Sequence, residues 1–374
     1  FKDMALSVLP LLFEEAKRIQ NKTKKTLILT ATSGDTGSAA MSGFSAIKNA
    51  QTITLYPKKG ISQFQEMQMR QFCSSDALLI AVDGDFDDCQ RIVKNAFQNI
   101  KTDNLILSSA NSINIGRIIP QIIYYFYTYA QLVQKGLIIK NQTINVTVPT
   151  GNFGNIYAGL LAKRMGLPIN CLMAASNKNN VLSTLFNDQI FDINKTLYKM
   201  ISPSMDIIVS SNIERFIYDL TQDTSFVKDT FSTLMTKGYI TLDVLKDNRD
   251  IIGDYATERM TQKAMLDFYK KYGYVIDPHT AVGYHCYLSN HKLHPASYDV
   301  IVSTASPYKF SSAVLDCFSI THKGHLEENI KTIQTMHPTY DHRMDKVLDT
   351  PCRGMSYSPE DAYKFIEKEI KKYD

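Results

Sequence analysis

Two short stretches set glycines among hydroxyl, amide and carboxylate side chains: Ser33-Gly34-Asp35-Thr36-Gly37 and Thr150-Gly151-Asn152-Phe153-Gly154-Asn155. Each follows an apolar, strand-like run and opens a helical pattern. A glycine-bearing turn of this kind exposes backbone N–H groups at the positive end of a helix, which suits a carboxylate or a phosphate. The plainer reading of the first is a tight turn in which Asp35 or Thr36 caps the helix, and of the second a bare glycine turn. The residues alone leave both readings open. Neither stretch is a Walker loop or a Gly-x-Gly-x-x-Gly fingerprint, so a nucleotide is not specifically indicated.

Three further places carry polar chemistry. Ser303-Thr304-Ala305-Ser306-Pro307 ends a strand with hydroxyls, as a capping turn also would. Asn111-Ser112-Ile113-Asn114-Ile115-Gly116-Arg117 precedes a long helical pattern. Arg117 is expected in its first turn, where a cation opposes the helix dipole, a hint of anion binding against the alternative of a side chain turned to solvent. Lys2 precedes an apolar run and, by itself, reads as an exposed terminal lysine. In open parallel sheets ligands gather at the carboxyl ends of strands, so these strand ends make one coherent set.

The elements that position them alternate. Strand-like runs at 26–30, 52–56, 78–82 and 105–107 are separated by helical patterns near 36–48, 62–72 and 86–97, and a long one follows at 114–133. A second block has strands at 144–148, 169–173 and 300–303, with helices near 155–164, 257–271, 279–290, 309–317 and 358–372. Between about 190 and 255 the pattern is less regular. Short apolar strands alternating with helices predict βαβ units and parallel sheets.

With 374 residues, 44% of them hydrophobic and 21% charged, the chain has the composition of a globular protein large enough for two domains. A net charge of +4 is too small and too evenly spread to argue for nucleic acid, and the basic groups at 22–25 and 368–372 read as solvated helix ends. No apolar run approaches the length of a membrane helix. Six scattered cysteines without a Cys-x-x-Cys pair suggest buried, inert thiols in a reducing, cytoplasmic setting. His291 and His294 have metal-pair spacing but sit in a polar loop without an evident third ligand, so no metal is expected.

The order and spacing of these segments resemble threonine synthase, a fold-type II pyridoxal phosphate enzyme, in its microbial and fungal branch. The likeness runs from Phe1-Lys2-Asp3 through 32–40, 109–117, 149–155 and Asp277-Pro278-His279-Thr280-Ala281-Val282-Gly283 to Thr304-Ala305-Ser306-Pro307 and Lys309-Phe310. It implies a three-layer αβα, tryptophan synthase β-like fold with parallel-rich sheets in two domains. Residues 1–23 would begin the large catalytic domain, 24–134 would form a smaller α/β domain, and 135–374 the large cofactor-binding domain with C-terminal helices.

The resemblance also implies roles. Lys2 would attach pyridoxal 5'-phosphate and then shuttle protons, a lysine beside a second cationic nitrogen being a usable base. Gly151, Asn152, Phe153, Gly154 and Asn155 would bind the cofactor phosphate, and Thr304 the pyridine nitrogen. Ser33, Asp35, Thr36 and Gly37 would receive the substrate α-carboxylate; Asn111, Ser112 and Arg117 its phosphate. The implied reaction turns O-phospho-L-homoserine and water into L-threonine and phosphate. A lyase of the same fold releasing 2-oxobutyrate carries the same motifs, whereas the intact Lys2, Asn152 and Thr304 argue against a non-catalytic binding homologue. Asp35, where many relatives have Asn, agrees with this branch; Ser306 stands where bacterial relatives commonly carry His. The family has a domain-sized segment ahead of the lysine, so a chain starting at Phe1 is expected to be a fragment with apolar surface uncovered. The resemblance further implies a monomer or weak homodimer without nucleic-acid or membrane partners.

Overall fold

The computed structural model describes residues 2–291, 297–336, 343–348 and 355–373. The chain divides into two compact units, Phe1–Pro120 with Thr339–Asp374, and Gln121–Pro338.

The first unit is built on a five-stranded sheet. Its order is Met355–Tyr357, Ala77–Val82, Ala50–Pro57, Lys25–Ala31, Leu105–Ser109, and every pairing is parallel. Along a strand successive side chains leave on opposite faces. Ile28 therefore packs with Leu6, Leu9, Ala39, Ala40 and Phe44 of the helices Lys2–Ile19 and Asp35–Phe44. Its neighbours Leu27 and Leu29 pack on the other side with Ile92, Val93 and Ala96 of Phe86–Asn99 and with Ala362, Ile366 and Ile370 of Pro359–Lys371. The result is helix, sheet, helix. Strands covered on both faces need near-continuous apolar runs, which is why these were legible.

The second unit has a four-stranded parallel sheet in the order Tyr298–Ile301, Ile144–Pro149, Ile169–Ser176, Ile251–Tyr255. Its helix Pro278–Asn290 buries Val282 and Cys286 against Met173 and Ala175. A two-stranded antiparallel ribbon, Ile190–Asp192 with Tyr239–Thr241, forms within the irregular stretch.

The units divide the chain differently from the sequence reading. Residues 2–19 belong with the first unit because Leu6 and Leu9 bury there, and the C-terminal segment adds an edge strand and a covering helix to it. The boundary falls after Pro120 rather than near 134. Arg117 is also placed differently. It closes a separate 3₁₀ turn, Ile115–Arg117, and the long helix starts only at Ile119. The dipole argument therefore does not apply to it. Cys89, Cys171, Cys286 and Cys317 are buried as expected, and burial pushes the Cys171 and Cys317 thiols up to about 11. Cys73 is exposed, and Cys352 lies outside the described residues.

Candidate functional site

The expected site residues fall in both units, and each set is described in its own.

In the first unit, Lys2 starts the helix Lys2–Ile19, with its side chain 24% exposed and Nζ 3.8 Å from Asp35 Oδ2. It is thus neither freely solvated nor unpartnered. Asp35 is the first residue of Asp35–Phe44, and its Oδ1 accepts from Gln65 Nε2 at 3.0 Å. The turn before it needs Gly34, at φ 122°, where an added Cβ would meet the Gln65 side chain. Thr32, which sequence reasoning gave no role, organises this turn. Its Oγ1 accepts from the N–H groups of Gly34 and Gly37, both at 2.9 Å. Gly37 N–H is therefore already engaged, while Ser33 and Thr36 stay partly accessible.

Asn111 clamps the end of the strand Lys25–Ala31: its Nδ2 donates to Ala31 O at 2.7 Å and its Oδ1 accepts from Ala31 N at 3.2 Å. Ser112 is half-buried beside it. Asn114 accepts from Gly116 N and donates to Ser109 O, closing the 3₁₀ turn. Arg117 is 3% exposed, with Nη1 donating to Ala110 O. A buried guanidinium is costly unless it is matched by acceptors or anions. Its burial, and not a helix dipole, is the feature that sets it apart.

In the second unit, residues 150–154 follow the strand Ile144–Pro149 and open the helix Gly154–Arg164. Phe153 caps that helix in the left-handed region, at φ 63°. A non-glycine residue there is held by its packing: its ring lies 5.4 Å from both Phe186 and Phe216. At Gly151 an added Cβ would come within 2.4 Å of Ser204 O. The carbonyls of the turn are tied back by side chains that sequence reasoning missed. Ser210 Oγ donates to Gly151 O, and Asn212 Nδ2 donates to Asn152 O at 2.9 Å. Ser211 Oγ bonds Asn152 Oδ1 at 3.3 Å. With the Gly151 and Asn152 carbonyls engaged, a turn at a helix N-terminus suits an anion.

Asn155 supplies a test of fit to a phosphorylated cofactor. Tyr125 O–H lies 2.9 Å from both Asn155 O and Asn155 Oδ1, which orients the amide. Its Nδ2 is buried and has no hydrogen-bond partner among the described residues. A buried donor without an acceptor is costly, and here it stands at a helix N-terminus, where an anion would satisfy it. The residues present fit a phosphate. Thr304 is half-buried just beyond the strand Tyr298–Ile301.

Two other clusters border this turn. Asp206 accepts from Asn177 Nδ2 at 2.8 Å, Asn179 Nδ2 at 3.1 Å and Met200 N at 3.0 Å. Burial pushes its carboxyl up to about 6 despite those donors. Asp277 and His279, quoted above without a role, form a buried pair with Nδ1 3.0 Å from Oδ1. Among the described residues no group of His, Cys, Asp or Glu could hold a metal ion. His291 Nδ1 faces Leu288 O, and His294 lies outside the described residues. No described helix is long and apolar enough to cross a membrane.

Parallel strands whose carboxyl ends carry anion-ready turns, covered by helices, make the fold of a fold-type II pyridoxal phosphate enzyme. The chain belongs to the pyridoxal-phosphate dependent enzyme family, whose model matches residues 1–306, and within it to the threonine synthases. The threonine synthase of Schizosaccharomyces pombe is 33% identical over 390 residues, covering 91% of this chain and 75% of that protein. Threonine synthase-like 1 of Macaca fascicularis is 35% identical over 86% of this chain, which spans less than half, 45%, of that relative's length. The crystal structure of the threonine synthase from Brucella melitensis with PLP bound matches all of this chain and 75% of its own, with a TM-score of 0.84 at 30% identity.

Proposed function

We propose that this chain carries the threonine synthase reaction, converting O-phospho-L-homoserine and water to L-threonine and inorganic phosphate. The observation that carries the reading is the buried, unpartnered Asn155 Nδ2 on a glycine turn whose carbonyls are already occupied, which calls for a fixed anion. Likeness to threonine synthases along nearly the whole chain supports the choice of reaction.

Gly151, Asn152, Phe153, Gly154 and Asn155 would hold the cofactor phosphate, Thr304 its ring nitrogen, and Lys2 its aldehyde carbon. Bound there, pyridoxal phosphate supplies the electron sink that acidifies the substrate's α- and β-protons. Lys2 Nζ would take and return those protons. Asp35 Oδ2, 3.8 Å away, restrains the position of that nitrogen. The N–H groups of Ser33 and Thr36, at a helix N-terminus, suit the substrate α-carboxylate. Asp35 itself, as a carboxylate, would contribute through Lys2 rather than by meeting that group. Arg117, anchored by Ala110 O, would oppose the charge of the departing phosphate, with Asn111 and Ser112 shaping the loop around it.

Incubating the purified protein with O-phospho-L-homoserine and pyridoxal phosphate should release phosphate and threonine in equal amounts. The wild type should absorb in the visible, and Lys2→Ala should lose that band. Retention of the band in the variant would remove Lys2 from its role. A yield dominated by 2-oxobutyrate would replace the synthase reading with that of a simple lyase, and absence of turnover with the cofactor bound would leave a binding protein.

A further inference from the structure

The roles above leave unused a buried Asp–His pair in the second unit. Asp277 caps the helix Pro278–Asn290, with Oδ1 accepting from His279 N at 2.9 Å. Capping needs only that carboxylate and the helix amides. The His279 ring adds a second connection. Only 2% of the residue is exposed, and its Nε2 accepts from Ser204 N at 3.2 Å. A ring nitrogen that accepts carries no proton, so the imidazole proton sits on Nδ1 and points at Asp277 Oδ1, 3.0 Å away. Ser204 is also the residue whose carbonyl packs against Gly151, leaving no room for a Cβ there. His279 therefore sets the height of the backbone on which the glycine turn rests.

The other carboxylate oxygen leads elsewhere. Thr280 Oγ1 donates to Asp277 Oδ2 and lies 3.2 Å from Ser303 Oγ, directly before Thr304. Burying a carboxylate beside an imidazole is favourable only when every polar atom finds a partner, and here each connection ends on a loop assigned to the cofactor.

We infer that Asp277 and His279 are positioning residues that hold the phosphate turn, through Ser204, and Thr304, through Thr280 and Ser303, in one fixed relation. The inference rests on the pyridoxal phosphate reading of those two loops.

The test compares dissociation constants of pyridoxal 5'-phosphate and of pyridoxal, which lacks the phosphate, by absorbance titration. The ratio of the two reports the phosphate turn. The wild type should favour the phosphorylated form strongly. His279→Asn keeps a donor toward Asp277 but drops the acceptor for Ser204, and should cut the ratio about tenfold while pyridoxal binding holds. His279→Gln restores an acceptor for Ser204 N–H and should bring the ratio back to within about threefold of wild type. Thr280→Val spares the Ser204 contact and should leave the ratio unchanged while shifting the absorbance maximum of the bound cofactor. If His279→Asn does not fold, His279→Gln and Thr280→Val still carry the comparison. A wild-type ratio in His279→Asn, an equal loss of both ligands there, or a changed ratio with an unshifted maximum in Thr280→Val overturns the inference. A wild type indifferent to the phosphate refutes the cofactor reading itself, which the variants alone cannot do.

Discussion

Replacing Gly151 with alanine adds one methyl group at a point where the backbone is restrained on both sides. The new Cβ would stand 2.4 Å from Ser204 O, 3.1 Å from Ile207 Cδ1 and 3.4 Å from Met205 Cα, where ordinary contact begins at 3.4 Å. Either the glycine turn or the segment 203–207 must therefore move by about 1 Å, and overpacking of this kind costs about 1–3 kcal/mol. Neither side moves freely. The turn is tied by Ser210 and Asn212, and the opposing segment by Ser204 N–H on His279 and by Asn177 on Ser202 Oγ. Breaking one of these hydrogen bonds adds about 0.5–1.5 kcal/mol. The sum is about 2–4 kcal/mol, or one to three powers of ten in an equilibrium constant. If the turn yields, the loss falls on cofactor affinity; if the opposing segment yields, it falls on stability. Titration with pyridoxal phosphate and a urea unfolding curve on the same variant read both. Gly151→Ala with an affinity within about twofold of wild type and an unchanged urea midpoint would refute the steric reasoning, since at ~1.4 kcal/mol per tenfold the expected loss has to appear in one of the two.

Three further outcomes follow from particular contacts. Asn155→Ala removes a donor that has no protein partner, while Tyr125 O–H keeps Asn155 O as an acceptor; pyridoxal phosphate affinity should fall about tenfold with the unfolding midpoint nearly unchanged. Phe153→Ala should destabilise by about 3–5 kcal/mol through loss of the ring packed on Phe186 and Phe216, and Phe153→Gly should be no worse, reversing the usual order, because φ 63° favours glycine by about 1 kcal/mol in denaturant titrations. Asp206, raised by burial from 3.8 to about 6, holds in the folded state a proton that the unfolded chain has released. Its contribution to stability is complete below about pH 3.8 and is lost as pH rises through about 6, amounting after solvent screening to about 1–2 kcal/mol. Asp206→Asn should flatten the urea midpoint between those limits, and a slope equal to wild type would refute the assignment. Asp277 acts with the opposite sign. Burial would raise it, but its His279 and Thr280 partners outweigh that and hold it below the carboxylate range, so its contribution is lost as pH falls.

Much of the fold and part of the candidate site were legible because they are local. A parallel strand covered on both faces needs an unbroken apolar run, and a strand-to-helix turn needs glycines and hydroxyls within a few residues, so 26–30, 144–148 and both glycine turns stood out. What determines how those turns are held is remote in sequence. Ser204, Ser210, Ser211 and Asn212 lie in a stretch whose strands and helices are short, and nothing in their periodicity points to Gly151 or Asn152. The joining of Lys2–Ile19 to the first unit, the return of Met355–Tyr357 to its sheet edge and the burial of Arg117 were equally invisible. By itself the sequence determined which residue types stand at each strand end, because backbone geometry and turn chemistry act over a few neighbours. Only the tertiary structure decided which of their polar atoms are already engaged and which are left for a ligand, because buried hydrogen bonds are satisfied by whatever packing brings within about 3 Å.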